Sequence, residues 1–187
     1  MASKEEFILV LFFNEPSRHW HFENIIKESK VSRSKVNKWL KKLESEGMIQ
    51  HIKPEKKMPY FIGNFEDPRY QEKKRLFALE MLERKGLLSH LSSLPNAKTI
   101  ILFGSMSRWD WYKDSDIDLF IYGDDAGFDR YEYWSILGRE IQVFVCKNKE
   151  QVKKFPLGLL KNIIEGYIIK GGLDFITIDY ARPTNVN

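Results

Sequence analysis

Cysteine is all but absent from this sequence. Cys146 is the only one, which excludes an internal disulfide and a cysteine-built zinc site. The four histidines, His19, His21, His51 and His90, have no pair spacing suited to zinc, so each is expected to be structural or exposed. No uninterrupted apolar run approaches the ~20 residues that span a bilayer. The opening MASKEEFILVLFFNEP places acids ahead of a short apolar stretch and has no small-residue cleavage site, so a signal peptide is not expected. No internal repeat or low-complexity tract is visible. These absences point to a reducing, cytoplasmic setting with no membrane role.

What is present suffices for packed cores. Of 187 residues, 43% are hydrophobic and 30% charged, a balance that excludes a disordered chain and suits one domain or two small ones. The net charge of +4 is unevenly spread. Up to Pro95 there are 18 Lys+Arg against 13 Asp+Glu, or +5; beyond it there are 12 against 13, or −1. A basic first half suits a polyanionic partner, and a near-neutral, Asp-rich second half suits work done by carboxylates.

The first half predicts three helices and a hairpin. Residues 4–13 are apolar at Phe7, Ile8, Leu11 and Phe12, with Pro16 just beyond. A short helix fits 22–28. Ser32 is a candidate N-cap for a third helix that runs to about Glu46 and stops at Gly47. On that third helix Val36, Trp39, Leu40 and Leu43 share one arc, opposite Ser34, Lys38, Lys41 and Lys42. MIQHIK and PYFIG then read as short strands around a lysine-bearing turn. This order resembles a winged helix-turn-helix module of transcriptional regulators over residues 4–64, with 32–46 similar to the recognition helix. The resemblance implies contact with double-stranded DNA through Ser34, Lys35, Lys38, Lys41 and Lys42 in the major groove and through Lys53, Lys56 and Lys57 at the hairpin. Glu44, Glu46 and Glu55 dilute that patch, and the same lysines would also serve as a solvated face or a protein-pairing surface.

Asp67-Pro68 is a helix-start signal, and residues 69–85 form a connector helix ending at Gly86. From Lys98 the pattern becomes α/β: TIILF as a buried strand, SMSRWDWYKDS as a short helix and loop, DIDLFIY as a strand, GFDRYEYWSILG as a helix and EIQVFVC as a strand. A helix over 157–165, a final strand YIIK and a loose tail after Asp179 complete it. The expected class is α+β: a winged helix at 1–66, a helical connector at 67–95, and a small mixed α/β domain at 96–187.

Chemistry is concentrated at Gly104-Ser105, ten residues, then Asp116-Ile117-Asp118. A glycine ending a strand permits a sharp turn, and Ser105 with the amides of a following helix start can hold phosphate oxygens. Two acids two apart on a strand share a face, about 6.6 Å apart. Such a pair packs poorly but suits magnesium, which takes oxygen donors and shares them with substrate phosphates. Asp110, Asp114, Asp124 and Asp125 are expected as loop acids. Trp109, Trp111 and Tyr112 are expected mainly to pack, base stacking being the alternative; Tyr131, Tyr133 and Trp134 are expected as helix packing or interface residues.

The stretch 104–119, GSMSRWDWYKDSDIDL, resembles the signature of the DNA-polymerase-β-like nucleotidyltransferases, and is most similar to their minimal, or MNT, type. NIIEGYIIKGG is similar to the helix–Glu-Gly–strand finish of those domains. The resemblance covers residues 96–172. It implies transfer of a nucleoside monophosphate, AMP from ATP or the equivalent from another NTP, to a hydroxyl acceptor with pyrophosphate leaving. It implies that Gly104 and Ser105 hold the triphosphate while Asp116 and Asp118 bind two Mg2+ ions. A partner protein such as a HEPN-type toxin, a nucleic acid strand and a homodimer are all partners open to such a chain. There is one departure. The family's third carboxylate, on the next strand, falls at Gln142. Either Glu140, two residues earlier on the same face, substitutes as a catalytic group, or the domain is degenerate and only senses nucleotide or dimerises within a transcriptional regulator.

Overall fold

The computed structural model describes residues 4–176; the tail expected after Asp179 lies outside the described residues. Three helices open the chain, α1 (Lys4–Asn14), α2 (Phe22–Ser29) and α3 (Arg33–Ser45), followed by an antiparallel pair, β1 (Ile49–Ile52) and β2 (Tyr60–Gly63). A bridge from Trp20 to Phe61 lays the α1–α2 link along the pair as a rudimentary third strand. Gly47, at φ +74°, ends α3 as expected. Ser32 occupies its N-cap position, although its hydroxyl makes no capping bond.

Two details of this unit differ from the sequence expectation. The buried residues of α1 are Ile8, Leu9, Phe12 and Phe13, while Phe7 is 47% exposed, so the packing face is rotated from the one expected. The cause is tertiary, because α1 packs against the connector as well as its neighbouring helices. On α3, Val36, Leu40 and Leu43 are buried as expected, whereas the Lys42 ammonium turns back to Glu5 at 2.8 Å and Glu46 at 3.5 Å.

The connector starts where the sequence signals it. Asp67 accepts a bond from the Arg69 amide at 2.8 Å and Pro68 opens α4 (Pro68–Arg84). Gly86 at φ +81° then turns the chain into α5 (Leu87–Ser93), a short helix that the sequence pattern does not reveal.

The second half is a four-stranded mixed sheet in the order β5-β4-β3-β6. β3 (Ala97–Phe103) pairs antiparallel with β4 (Ile117–Gly123) and β6 (Tyr167–Lys170), and β4 runs parallel to β5 (Ile141–Cys146). α6 (Arg130–Leu137) makes the crossover from β4 to β5, and α7 (Lys149–Val152) and α8 (Leu157–Ile164) lie between β5 and β6. The central strands are apolar on both faces because both faces are covered. Ile100, Leu102, Leu119 and Ile121 join the core that faces the helices; Ile101, Phe103 and Phe120 join a second core with Val152, Ile163 and Phe175.

The first of these cores is continuous with that of the N-terminal helices. Phe13 of α1 meets Tyr70 of α4 (ring centroids 5.2 Å) and Trp111 (6.2 Å), and Phe77 stacks on Trp111 at 6.4 Å. The Tyr70 hydroxyl donates to the Phe12 carbonyl at 2.7 Å, and Arg84 pairs with Glu6. Among the described residues no helix is long and apolar enough to cross a membrane.

Candidate active site

The site forms where β3 ends beside the start of β4. Gly104 follows Phe103 with φ +71°, a conformation open to glycine. Phe103 is the register partner of Asp118, so the turn at Gly104 lies against the Asp118 side chain. The approach is close: a Cβ added at Gly104 would overlap Asp118 Oδ2. Glycine is required here both for backbone conformation and for room.

Asp118 lies inside β4 and faces the same side as Phe120. Asp116 falls one residue before the strand, so the pair is not carried by one ladder as the sequence pattern suggests. It is held in other ways. Ile117 N–H donates to the Glu140 carbonyl at 2.9 Å, and Gln142 donates its side-chain amide to Asp116 Oδ2 at 2.7 Å. Gln142 is the register partner of Asp118 on the parallel strand β5. Glu140 lies just outside β5 with an exposed side chain, and its backbone is what meets the site's strand.

Electrostatics agrees with this geometry. Burial holds the Asp118 carboxyl above its ordinary range, the Asp116 charge raises it further, and the Arg108 guanidinium opposes both. Arg108 is bonded to Asp110 through Nη2 at 3.0 Å and Nε at 3.2 Å, and that bond raises it. Asp110, expected as a solvated loop acid, is therefore the partner of the cation whose charge acts on Asp118. The two carboxylates offer oxygen donors of the type magnesium takes. Among the described residues no group of three or more His, Cys, Asp and Glu converges on a metal position.

Ser105 is half-buried and opens a three-residue 3₁₀ turn, 105–107, not a longer helix. The helix-dipole part of the expected phosphate cradle is therefore absent, because partial charge of that kind needs several aligned peptides. What remains at the turn is the Ser105 hydroxyl and the backbone. Ser107 is tied to the Gly104 carbonyl at 2.9 Å, which stiffens the bend.

The aromatic run after the turn divides. Trp111 is buried in the shared core, as expected of packing, while Trp109 and Tyr112 are 36% and 56% exposed. On α6, Tyr133 is buried and Tyr131 and Trp134 stack on the surface. The four histidines divide between packing and exposure: His19 is exposed but stacks on Tyr60, His21 bonds the Pro59 carbonyl, His51 stacks on Phe61, and His90 bonds the Tyr133 hydroxyl.

The expected nucleic-acid residues occupy a second, separate surface. Ser34, Lys35, Lys38 and Lys41 are exposed on α3, and Lys53, Lys56 and Lys57 are exposed on the β1–β2 turn. Contact with the Lys4 side chain lowers Lys35, whereas the bond to Glu5 raises Lys42 and partly neutralises it.

Two residues of the site are not legible as such in the sequence. Gln142 is noticed only as the wrong residue at an acidic position, and its bond to Asp116 depends on the β4–β5 register. Arg139 has no local mark at all, and it is 9% exposed behind the loop that carries Asp116. An arginine next to a helix-ending glycine usually signals an exposed C-terminus, so no pattern would have found it.

Residues 85–172 match the family model described as polymerase beta, nucleotidyltransferase. This span holds a Pol-β-type nucleotidyltransferase domain containing α5, the whole four-stranded sheet, Gly104, Asp116, Asp118 and Gln142. The match starts ahead of the boundary at 96 expected from the sequence and excludes α1–α3. No curated protein and no solved structure matches the chain.

Proposed function

We propose that this protein transfers a nucleoside monophosphate from an NTP, with ATP the first candidate, to a hydroxyl group on an acceptor. The acceptor oxygen bonds to the α-phosphorus, the bond to the β-bridging oxygen breaks, and pyrophosphate leaves with that electron pair while the hydroxyl proton is released. Asp116 and Asp118 would hold Mg2+, which neutralises triphosphate charge and polarises the α-phosphoryl group. Ser105 and the backbone of the Gly104 turn would seat the phosphates. Arg108, whose charge already acts on Asp118, would add positive charge once released from Asp110. The observation that carries this reading is the seating of the Asp118 carboxylate against Gly104 with Asp116 beside it, in a span that matches a nucleotidyltransferase family.

Incubation with each α-labelled NTP, Mg2+ and a cell extract tests it. Transfer requires pyrophosphate release and label on an acceptor; label on protein supports a protein acceptor such as a HEPN-type toxin, and label on RNA or DNA supports a nucleic acid one. A folded Asp118→Ala protein that still transfers label counts against the mechanism.

A second reading is favoured by the Gln142–Asp116 bond. The amide occupies an oxygen that would otherwise face a cation, and among the described residues no third carboxylate joins the pair. On this reading the domain binds Mg2+·NTP and turns it over slowly or not at all, acting as a sensor. Binding of labelled ATP without pyrophosphate release selects it.

The N-terminal unit fits a winged helix that places α3 in the major groove of double-stranded DNA. Ser34, Lys38 and Lys41 are exposed on α3, Lys56 and Lys57 would reach the backbone, and Lys42 contributes least because Glu5 holds it. Binding that weakens steeply with salt, and flattens on Lys38→Ala/Lys41→Ala, supports this role.

A further inference from the structure

A buried arginine stands behind the candidate metal site, with no carboxylate among the described residues hydrogen-bonded to it. Arg139 follows the turn that ends α6 and precedes β5, and its guanidinium lies over Trp111 at 5.3 Å. Nη1 donates to the carbonyls of Tyr112 at 2.7 Å and Ser115 at 2.9 Å, and Nη2 reaches Asn14 Oδ1 at 3.4 Å. Asp114 is close enough to favour its charged form, but burying a guanidinium whose bonds go to neutral oxygens is costly, so its retention calls for a physical reason.

The reason lies in what those carbonyls carry. Ser115 immediately precedes Asp116, and Asp116 is outside the strand ladder. The loop from Tyr112 to Ser115 has no strand to fix it, yet both its ends converge on one guanidinium. Its middle is tied from the other side, where Lys113 N–H donates to the Asn14 carbonyl at 3.1 Å. Asn14 is the last residue of α1, so the N-terminal helical unit grips this loop directly. Asp116 thus has three anchors: Arg139 on the preceding carbonyl, the Glu140 carbonyl on the following amide, and Gln142 on its carboxylate.

We propose that Arg139 is a positioning residue that fixes Asp116 for a divalent metal–nucleotide complex, and that Asn14 is the point through which the N-terminal unit governs that site. The inference rests on the nucleotide-site reading above. Removing Arg139 leaves the Asp118–Gly104 contact intact but lets Asp116 wander, so metal-supported binding falls while metal-free binding does not. The coupling is mechanical: a partner on the N-terminal unit that shifts α1 moves the Asp116 loop with it.

Arg139→Met, which preserves bulk over Trp111, separates these effects. Its affinity for Mn2+·ATP should drop about tenfold or more, while affinity for ATP in EDTA stays within about twofold of wild type. Arg139→Lys, a point charge that cannot span three acceptors, should lie between the two, and it also serves if Arg139→Met does not fold. Amide exchange without nucleotide should rise across 113–117 in Arg139→Met, with β3 unchanged. Wild-type affinity for Mn2+·ATP, or equal losses with and without metal, overturns the proposal. If the wild type binds no Mn2+·ATP, the nucleotide reading fails separately; unchanged exchange at 113–117 would then overturn the positioning role on its own.

Discussion

The carboxylate of Asp118 rests against the Cα of Gly104, in the space any other residue would fill with its Cβ. The contact makes Gly104 part of the site and not merely part of a turn. Gly104→Ala must strain a backbone at φ +71° and push Asp118 aside. We expect it to lose about 1–3 kcal/mol of stability, and Mg2+·ATP binding with it. Urea unfolding and calorimetric titration check both; an alanine variant that binds as wild type would mean Asp118 is not seated by this contact.

Asp118→Asn should separate folding from function. Burial and Asp116 keep the folded Asp118 carboxyl above its unfolded range. The native state therefore binds more protons through that window, and stability falls as pH rises across it. At neutral pH the charge is a standing penalty, so Asp118→Asn in EDTA should melt above the wild type, with the gap closing towards pH 4. Metal–nucleotide binding should weaken by several kcal/mol in the same variant. Thermal melts with and without Mg2+·ATP read both effects.

Gln142→Glu puts a carboxylate where an amide now caps Asp116. Without metal it adds repulsion and should destabilise by about 1–2 kcal/mol, or roughly 2–8 °C. With Mg2+·ATP the order should reverse, because the third carboxylate becomes a ligand. Pyrophosphate release faster than wild type would show that Gln142 restrains turnover; an unchanged rate would remove the basis for the sensor reading.

Lys74, which shares the Trp111 ring with Arg139, predicts a pH effect of its own. It is 1% exposed, with its ammonium 4.7 Å from the Trp111 ring centre and 5.4 Å from that of Tyr112. Burial pushes it down to about 8, Arg139 adds to the shift, and Asp110 opposes it. Above that value the folded form is neutral while the unfolded chain keeps its proton to about pH 10.4, so this residue makes stability rise with pH in between. Lys74→Met should stabilise by about 1–3 kcal/mol at pH 7, less what the aromatic contacts return. Chemical denaturation should show the gain fading from pH 8 to 10.

Much of this arrangement can be read from local pattern, and the remainder is set by distant partners. The apolar runs before Gly104 and after Asp118, the capped start at Asp67-Pro68 and the glycine stops act over a few residues, and the structure has each of them. Asp116 slips off the strand because β4 begins only where β5 can pair with it. Lys42 is drawn to Glu5, 37 residues away in sequence, so a wheel diagram misplaces its charge. α5 and α7 are too short for a periodic signal. The role of Arg139 is invisible along the chain because all its acceptors come from elsewhere: two from the loop after Trp111 and one from the end of α1.

The packing of Phe13 and Phe77 on Trp111, with Tyr70 against Phe13, has a practical corollary for anyone wishing to trim this protein. Severing the chain at Pro95 would strip a hydrophobic lid from the Trp111 side and leave Lys113 and Arg139 without Asn14. The excised sheet would arrive with a greasy flank and a slack acidic loop, so a fragment carrying the acidic pair should be cut only with α1 and α4 still attached.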